Sequence, residues 1–182
     1  QGVDSVAPAD IKYAQELGYR IKHLGIAKYE GDALQLRVHP TLIPEAKAIA
    51  QVDGVLNAIM INASGLGELL LVGPGAGSRP TASAIMADVV SLARSLAGDE
   101  QPSIHSLGVG VSAMSQPIIA DINEVSSAWY LRLDAEDKPG VMAALTQCLS
   151  QHRIGIESLI QKPESPALAK VPVILLTDDA PT

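Results

Sequence analysis

The segment Gly73-Pro74-Gly75-Ala76-Gly77 constrains the fold of this chain more than any other. It joins an apolar run, Leu66 to Val72, to a stretch from Pro80 to Ala97 with apolar residues at helical spacing. Ala84, Ile85, Val89, Leu92, Ala93 and Leu96 form one stripe, and Gly98 supplies the stop. A strand, a glycine turn and a helix therefore follow in that order. Glycines at such a joint let backbone N–H groups approach a ligand closely, and the helix start adds positive dipole character. The third glycine comes one position too early for the GxGxxG dinucleotide fingerprint. Docking of a phosphate, carboxylate or amide and a ligand-free tight turn are both consistent with these residues. Gly73, Gly75, Ala76 and Gly77 are the candidate ligand contacts.

The rest of the first half alternates in short segments. Pro8 to Leu17 predicts a helix with Ile11, Ala14 and Leu17 on its inner face and Gly18 as its end. Arg20 to Lys28 and Ala33 to His39 predict a hairpin about Glu30-Gly31-Asp32. In its second strand Leu34, Leu36 and Val38 are expected to be buried and Gln35, Arg37 and His39 wet. The prolines of His39 to Pro44 predict an extended exit, and Glu45 to Ala50 a helical turn. Gly54 to Asn62 and Leu66 to Val72 predict a second hairpin. Residues 98–125 hold no sustained period and read as a connection, with one short strand near Leu107 to Val111.

A new pattern starts at Ala128. Trp129 to Leu133 reads as a strand and Asp134 to Gly140 as a turn. Val141 to His152 reads as a helix with Val141, Ala144, Leu145, Cys148 and Leu149 inward. Gly155 to Gln161 is a strand, Lys162 to Lys170 a loop, and Val171 to Thr177 a strand. Strand, helix, strand, strand is the front of a ferredoxin-like βαββαβ unit. The expected class is α+β: an antiparallel or mixed sheet with helices on one face, followed by a partial ferredoxin-like unit.

Composition removes several functions. With 47% hydrophobic and 18% charged residues the chain is not generally disordered. Aromatics are 3% with no Phe, so Leu, Ile, Val and Ala must build the core. The net charge of −7 divides into −1 over residues 1–97 (8 basic, 9 acidic) and −6 over 98–182 (5 basic, 11 acidic). Neither part offers a basic face for nucleic acid. The longest uncharged stretch, Gln101 to Ala120, is interrupted by Pro102, Pro117 and polar residues, so no membrane span is expected. A lone Cys148 excludes an internal disulfide and a cysteine zinc site, and fits an intracellular, cytoplasmic location.

Few side chains invite chemistry. His23 and His39 lie in strand patterns, where a solvated or satisfied histidine is the ordinary outcome, and no residues have metal-ligand spacing. Ser83, Ser91 and Ser95 lack a nucleophile elbow, Glu68 reads as a salt-bridged strand residue, and Cys148 reads as core. No catalytic residue and no metal ligand is assigned. Asp134, Lys138, Pro139, Gly140 and Val141 form a strand-to-helix joint whose backbone N–H groups can grip a small amino acid. An ordinary βα turn explains the same residues, and on the residues alone it is preferred.

Four motifs in order resemble bacterial homoserine dehydrogenase: residues 10–19 (DIKYAQELGY), 37–44 (RVHPTLIP), 73–77 (GPGAG) and 80–84 (PTASA). Residues 130–133 (YLRL), 137–141 (DKPGV) and 156–162 (IESLIQK) resemble the ACT domain that follows in that family. The resemblance implies NAD(P)-dependent interconversion of aspartate semialdehyde and homoserine, on the route to threonine, methionine and isoleucine. It implies that residues 1–97 belong to the substrate and dimerisation domain, that 98–125 connect, and that 126–182 are a partial ACT domain. It implies that Gly73 to Gly77 faces an NADP or NAD held by a Rossmann domain. It implies that Asp134 to Val141 is placed to take an effector such as threonine.

The family's Rossmann fingerprint and catalytic residues match nothing in these 182 residues, so this chain alone is expected to be inactive. With no Met at its start, the chain reads as processed or truncated. Too few helices are available to cover both hairpins, which predicts a homo-oligomer, dimer or tetramer, joined through residues 20–72. The alternative function is a non-catalytic amino-acid-sensing module built on the ACT-like half.

Overall fold

The computed structural model describes residues 2–98, 109–161 and 170–181. They fall into two compact units, Gln1–Ile43 with Pro117–Thr182, and Pro44–Gln116. Compactness thus divides the chain differently from the segments 1–97, 98–125 and 126–182, because the first hairpin groups with the C-terminal sheet. The architecture is α+β, as expected from the sequence pattern.

The first unit begins with a short 3-10 turn and helix α1 (Pro8–Glu16). Pro8 occupies the first turn, where its missing N–H costs nothing. The Asp10 carboxylate accepts the Ala7 N–H at 2.8 Å, which closes the helix start. The inner face carries Asp10, Tyr13 and Ala14, whereas Ile11 is 48% exposed. Of the expected face, Ala14 is buried and Leu17 half-buried, while Ile11 gives way to Asp10 because a buried polar cluster claims that carboxylate.

Strands β1 (Tyr19–Glu30) and β2 (Ala33–Pro44) pair as the expected hairpin about Gly31 and Asp32. The strand continues through Pro40 to Pro44. Only Ala33 and Leu34 of β2 pair on its far side, with the parallel strand β5 (Ile118–Ile119), so the prolines remove no bond to that neighbour. The alternation in β2 has the expected period and the opposite sense. Gln35 is 5% exposed, while Leu36 and Val38 are 54% and 63% exposed. The polar face of this strand is turned inward.

The last sheet of this unit has the order β7-β9-β8. It is formed by β7 (Tyr130–Glu136), β8 (Ile156–Gln161) and β9 (Lys170–Thr177), with helix α3 (Val141–Gln151) between β7 and β8. Strand β9 runs antiparallel to both neighbours, so β7-α3-β8 is a parallel unit split by an inserted strand. Val171, Val173, Ile174, Leu175 and Leu176 of β9 are at most 6% exposed and form the core. Burial on both faces is what a central strand requires. Strand β7 reaches Glu136, so the turn expected at Asp134 starts later. In α3 Cys148 and Ala144 are exposed, while Val141, Met142, Leu145, Thr146 and Leu149 are half-buried. Cys148 is thus not a core residue; the buried stripe is rotated toward Met142 and Thr146. A two-residue antiparallel pair joins β6 (Ser126–Ser127) to β10 (Ala180–Pro181).

The second unit contains strands β3 (Leu56–Ala63) and β4 (Gly67–Pro74) and helix α2 (Ser78–Ala97). The two strands pair in register from Leu56↔Pro74 to Ala63↔Gly67. Gly98 closes α2 in the left-handed region at φ 75°, with its N–H on the Ser95 carbonyl. None of the α2 stripe is buried: Ile85, Val89 and Leu92 are each at least 50% exposed. A 3-10 turn at Ala48–Gln51 replaces the helical turn expected at Glu45 to Ala50. The strand expected near Leu107 to Val111 lies partly outside the described residues. Val111–Ala113 instead forms a 3-10 turn, and the strand of this region is β5.

Candidate functional site

The glycine joint sits where β4 hands over to α2. Gly73 pairs with Asn57 across the ladder, and the Gly75 N–H donates to the Val55 carbonyl at 3.0 Å. A Cβ on Gly75 would overlap the Asn57 side-chain amide. The Asn57 amide, at the end of an exposed side chain, would have to move aside for any side chain at 75. Gly77 takes φ 128° as the cap of α2, and its carbonyl accepts the Thr81 N–H at 3.1 Å. Gly73 differs: a Cβ there would meet nothing within 4 Å. The open side of the joint is at Gly73.

The second candidate lies in the first unit. Asp134 pairs in register with Pro172, with its side chain on the exposed side of β7. Lys138 ion-pairs with Glu136 at 2.8 Å, both side chains more than half exposed. Pro139 and Gly140 form the turn, Gly140 at φ 92° caps α3, and Val141 opens the helix. The Lys138 N–H donates to the Glu136 carbonyl, the Val141 N–H to the Lys138 carbonyl, and the Ala144 N–H to the Gly140 carbonyl. Several of the joint's own donors are thus already used inside the turn.

The residue pattern did not reveal the polar cluster of the first unit. Asp10, 6% exposed, accepts the Tyr130 hydroxyl at 2.8 Å and the Arg132 Nε–H at 2.6 Å, besides the Ala7 N–H. Burial pushes the Asp10 carboxyl up, but the hydrogen bonds from Tyr130, Arg132 and Ala7 outweigh it and hold the group below its ordinary value. Burial and the Asp10 carboxylate together push the Tyr130 hydroxyl well above the usual tyrosine range. Tyr19 donates to Glu157 at 3.1 Å and is shifted upward by burial and by that carboxylate. Only the placement of Asp10 in the first helical turn was readable beforehand. Its partners lie 120 and 122 residues away.

Other candidates keep ordinary roles. His39 Nδ1 lies 3.0 Å from the Pro40 carbonyl and 3.2 Å from the Thr41 hydroxyl, a satisfied histidine. His23 is exposed, and Glu68 is exposed opposite Asn62. Among the described residues no group of three or more His, Cys, Asp or Glu could hold a metal ion. No described helix is long and apolar enough to cross a membrane.

Comparison with known proteins gives a consistent result. The family described as homoserine dehydrogenase matches residues 1–90. A homoserine dehydrogenase of Pseudomonas aeruginosa is 44% identical over 97% of this chain and 41% of its own length. One from Neisseria gonorrhoeae is 44% identical over 89% of this chain and 37% of its own length. The crystal structure of a homoserine dehydrogenase from Thiobacillus denitrificans superposes with a TM-score of 0.86 at 40% identity, covering 99% of this chain and 40% of that one. The chain thus spans about two-fifths of the length of the relatives it matches. It belongs to the homoserine dehydrogenase family.

Proposed function

We propose that this chain is the substrate-domain and regulatory portion of an NAD(P)-dependent homoserine dehydrogenase. The single observation that carries the reading is the match along almost the whole chain to relatives named for that activity. The reaction reduces aspartate semialdehyde to homoserine, for the synthesis of threonine, methionine and isoleucine in the cytoplasm. The open side of Gly73, with the backbone of Ala76 and Gly77, would back the nicotinamide, which supplies the hydride when bound. The chain's own part there is to present backbone without a side chain in the way. The resemblance assigns the general acid–base step to no residue of this chain.

The segment 126–182 is assigned to effector sensing, with Asp134, Lys138, Pro139, Gly140 and Val141 as the binding joint and threonine as the first ligand to test. The β7-α3-β8 split favours this reading over a catalytic role for that half. It also sustains the second reading, an amino-acid-sensing module without catalysis. The protein expressed from its native reading frame should oxidise NADPH or NADH on addition of aspartate semialdehyde, followed by absorbance of the reduced nicotinamide. Gly73→Val should then raise the cofactor KM or lower kcat, with the circular dichroism unchanged. No turnover in that protein overturns the dehydrogenase reading and leaves the sensing module. Absence of heat with threonine in calorimetry overturns the effector site.

A further inference from the structure

A cavity of about 900 Å³ opens within the first unit. It is within the size range of small-molecule sites. Its walls include Ile21, Ile26 and Leu176, the indole of Trp129, and two polar side chains of β2, Arg37 and His39. The Trp129 ring is fixed by its N–H on the Ala180 carbonyl at 3.3 Å.

The polar groups at this cavity are unequal. Asp10 is saturated by Tyr130, Arg132 and Ala7, and Glu157 receives the Tyr19 hydroxyl. His39 is engaged with Pro40 and Thr41. The Nε of Arg37 is buried and has no hydrogen-bond partner among the described residues. A buried donor without an acceptor is costly, and a guanidinium is a permanent cation that matches a carboxylate in a forked geometry. Arg37 thus lines the cavity as a cation with no acidic partner among the described residues, beside an apolar wall. A dianion is disfavoured, because Asp10 and Glu157 also line the cavity and Arg37 is its one cation.

We propose that the cavity between hairpin β1–β2 and the Trp129–Thr177 end of the C-terminal sheet binds a small organic monocarboxylate. Its carboxylate meets Arg37 and its apolar body lies against Trp129 and Ile26. The inward polar face of β2 then has a purpose: it carries the ligand's counter-charge into the unit. The inference does not rest on the dehydrogenase reading, since its readout is binding.

Trp129 is the chain's sole tryptophan and serves as the probe. The purified protein is titrated with isovalerate and benzoate, and in parallel with isovaleramide and benzamide. The expected result is a saturable change of tryptophan emission with the acids, and none with the amides at equal concentration. Arg37→Gln should weaken the acids about tenfold or more, at an unchanged thermal midpoint. L-Leucine separates the sources: binding as tight as isovalerate means that the ligand is an amino acid with its ammonium accepted near Glu157. Weaker binding means a plain carboxylic acid, and either outcome supports the carboxylate site. If Arg37→Gln fails to fold, Ile26→Phe, which fills the apolar wall without adding a second indole, must abolish the quenching or shift produced by benzoate. No saturable change with either acid, equal affinity for acid and amide, or equal affinity in the folded Arg37→Gln protein overturns the proposal.

Discussion

Asp10 shows how one buried carboxylate joins distant parts of the sequence. It holds the start of α1 and two alternate residues of β7 at once. Asp10→Asn keeps the volume and removes the charge that strengthens those bonds, so it should cost about 2 kcal/mol in chemical denaturation. Its pH dependence follows from the direction of the shifts. The Asp10 carboxyl is held below its ordinary value, so its stabilisation is complete above that value and fades as the pH falls through the lower folded-state one. Tyr130 is held above its ordinary value, so its contribution is complete below about pH 10 and fades as the pH rises further. Denaturation midpoints measured from pH 2 to 11 should therefore fall at both ends. Asp10→Asn should flatten the acid limb and Tyr130→Phe the alkaline one; unaltered limbs would refute the assignment. Gly75 gives a second test at this scale. Gly75→Ala should change stability by no more than about 0.5 kcal/mol, because the exposed Asn57 side chain can rotate away from the new methyl. A larger loss that Asn57→Ala recovers in a double-mutant cycle would refute this.

At the scale of elements, the strands and helices of the second unit carry apolar residues that its other described residues leave largely exposed. Ile59 pairs with Leu71, and Ile61 with Leu69, so these four share one face of the β3–β4 hairpin. They are between 37% and 64% exposed. A two-stranded hairpin with such a face is marginal alone and needs packing on another surface. Hairpin β1–β2 is similar, with Leu36 and Val38 outward beside Gly25 and Ala27. Association of copies through these faces is the expected outcome. Sedimentation at micromolar concentration should give a dimer or larger species. Ile59→Lys combined with Leu71→Lys should shift it toward monomer, because two charges cannot be desolvated in an apolar interface without partners. A monomeric parent protein would refute this.

At the scale of the molecule, the 182 residues offer one glycine joint for a dinucleotide. Tight binding of such a cofactor takes pyrophosphate, ribose and nicotinamide contacts together. Holding hydride donor and acceptor at reacting distance can supply about 7–11 kcal/mol of the barrier reduction. One such joint, in a chain that spans about two-fifths of the length of its relatives, is not expected to provide that alignment. This chain by itself should therefore show no NADPH oxidation with aspartate semialdehyde above a protein-free control, and no quenching of reduced nicotinamide fluorescence. Turnover would place a complete cofactor site within these residues.

The sequence by itself determined where the elements run. The GPGAG joint, the Gly31 turn and the left-handed stop at Gly98 are local matters of backbone freedom. The period of β2 and the length of α2 follow from neighbours in sequence. The motifs from Asp10 to Ala84 were sufficient to identify the family. Tertiary structure alone decided which face each element buries. β2 turns Gln35 and Arg37 inward, and α1 buries Asp10 in place of Ile11, where the carboxylate is tolerated because the distant donors Tyr130 and Arg132 meet it. The same holds for the cavity at Arg37 and Trp129, whose walls come from residues more than ninety positions apart. Spacing along the chain carries no record of such a meeting, and only the packed fold creates it.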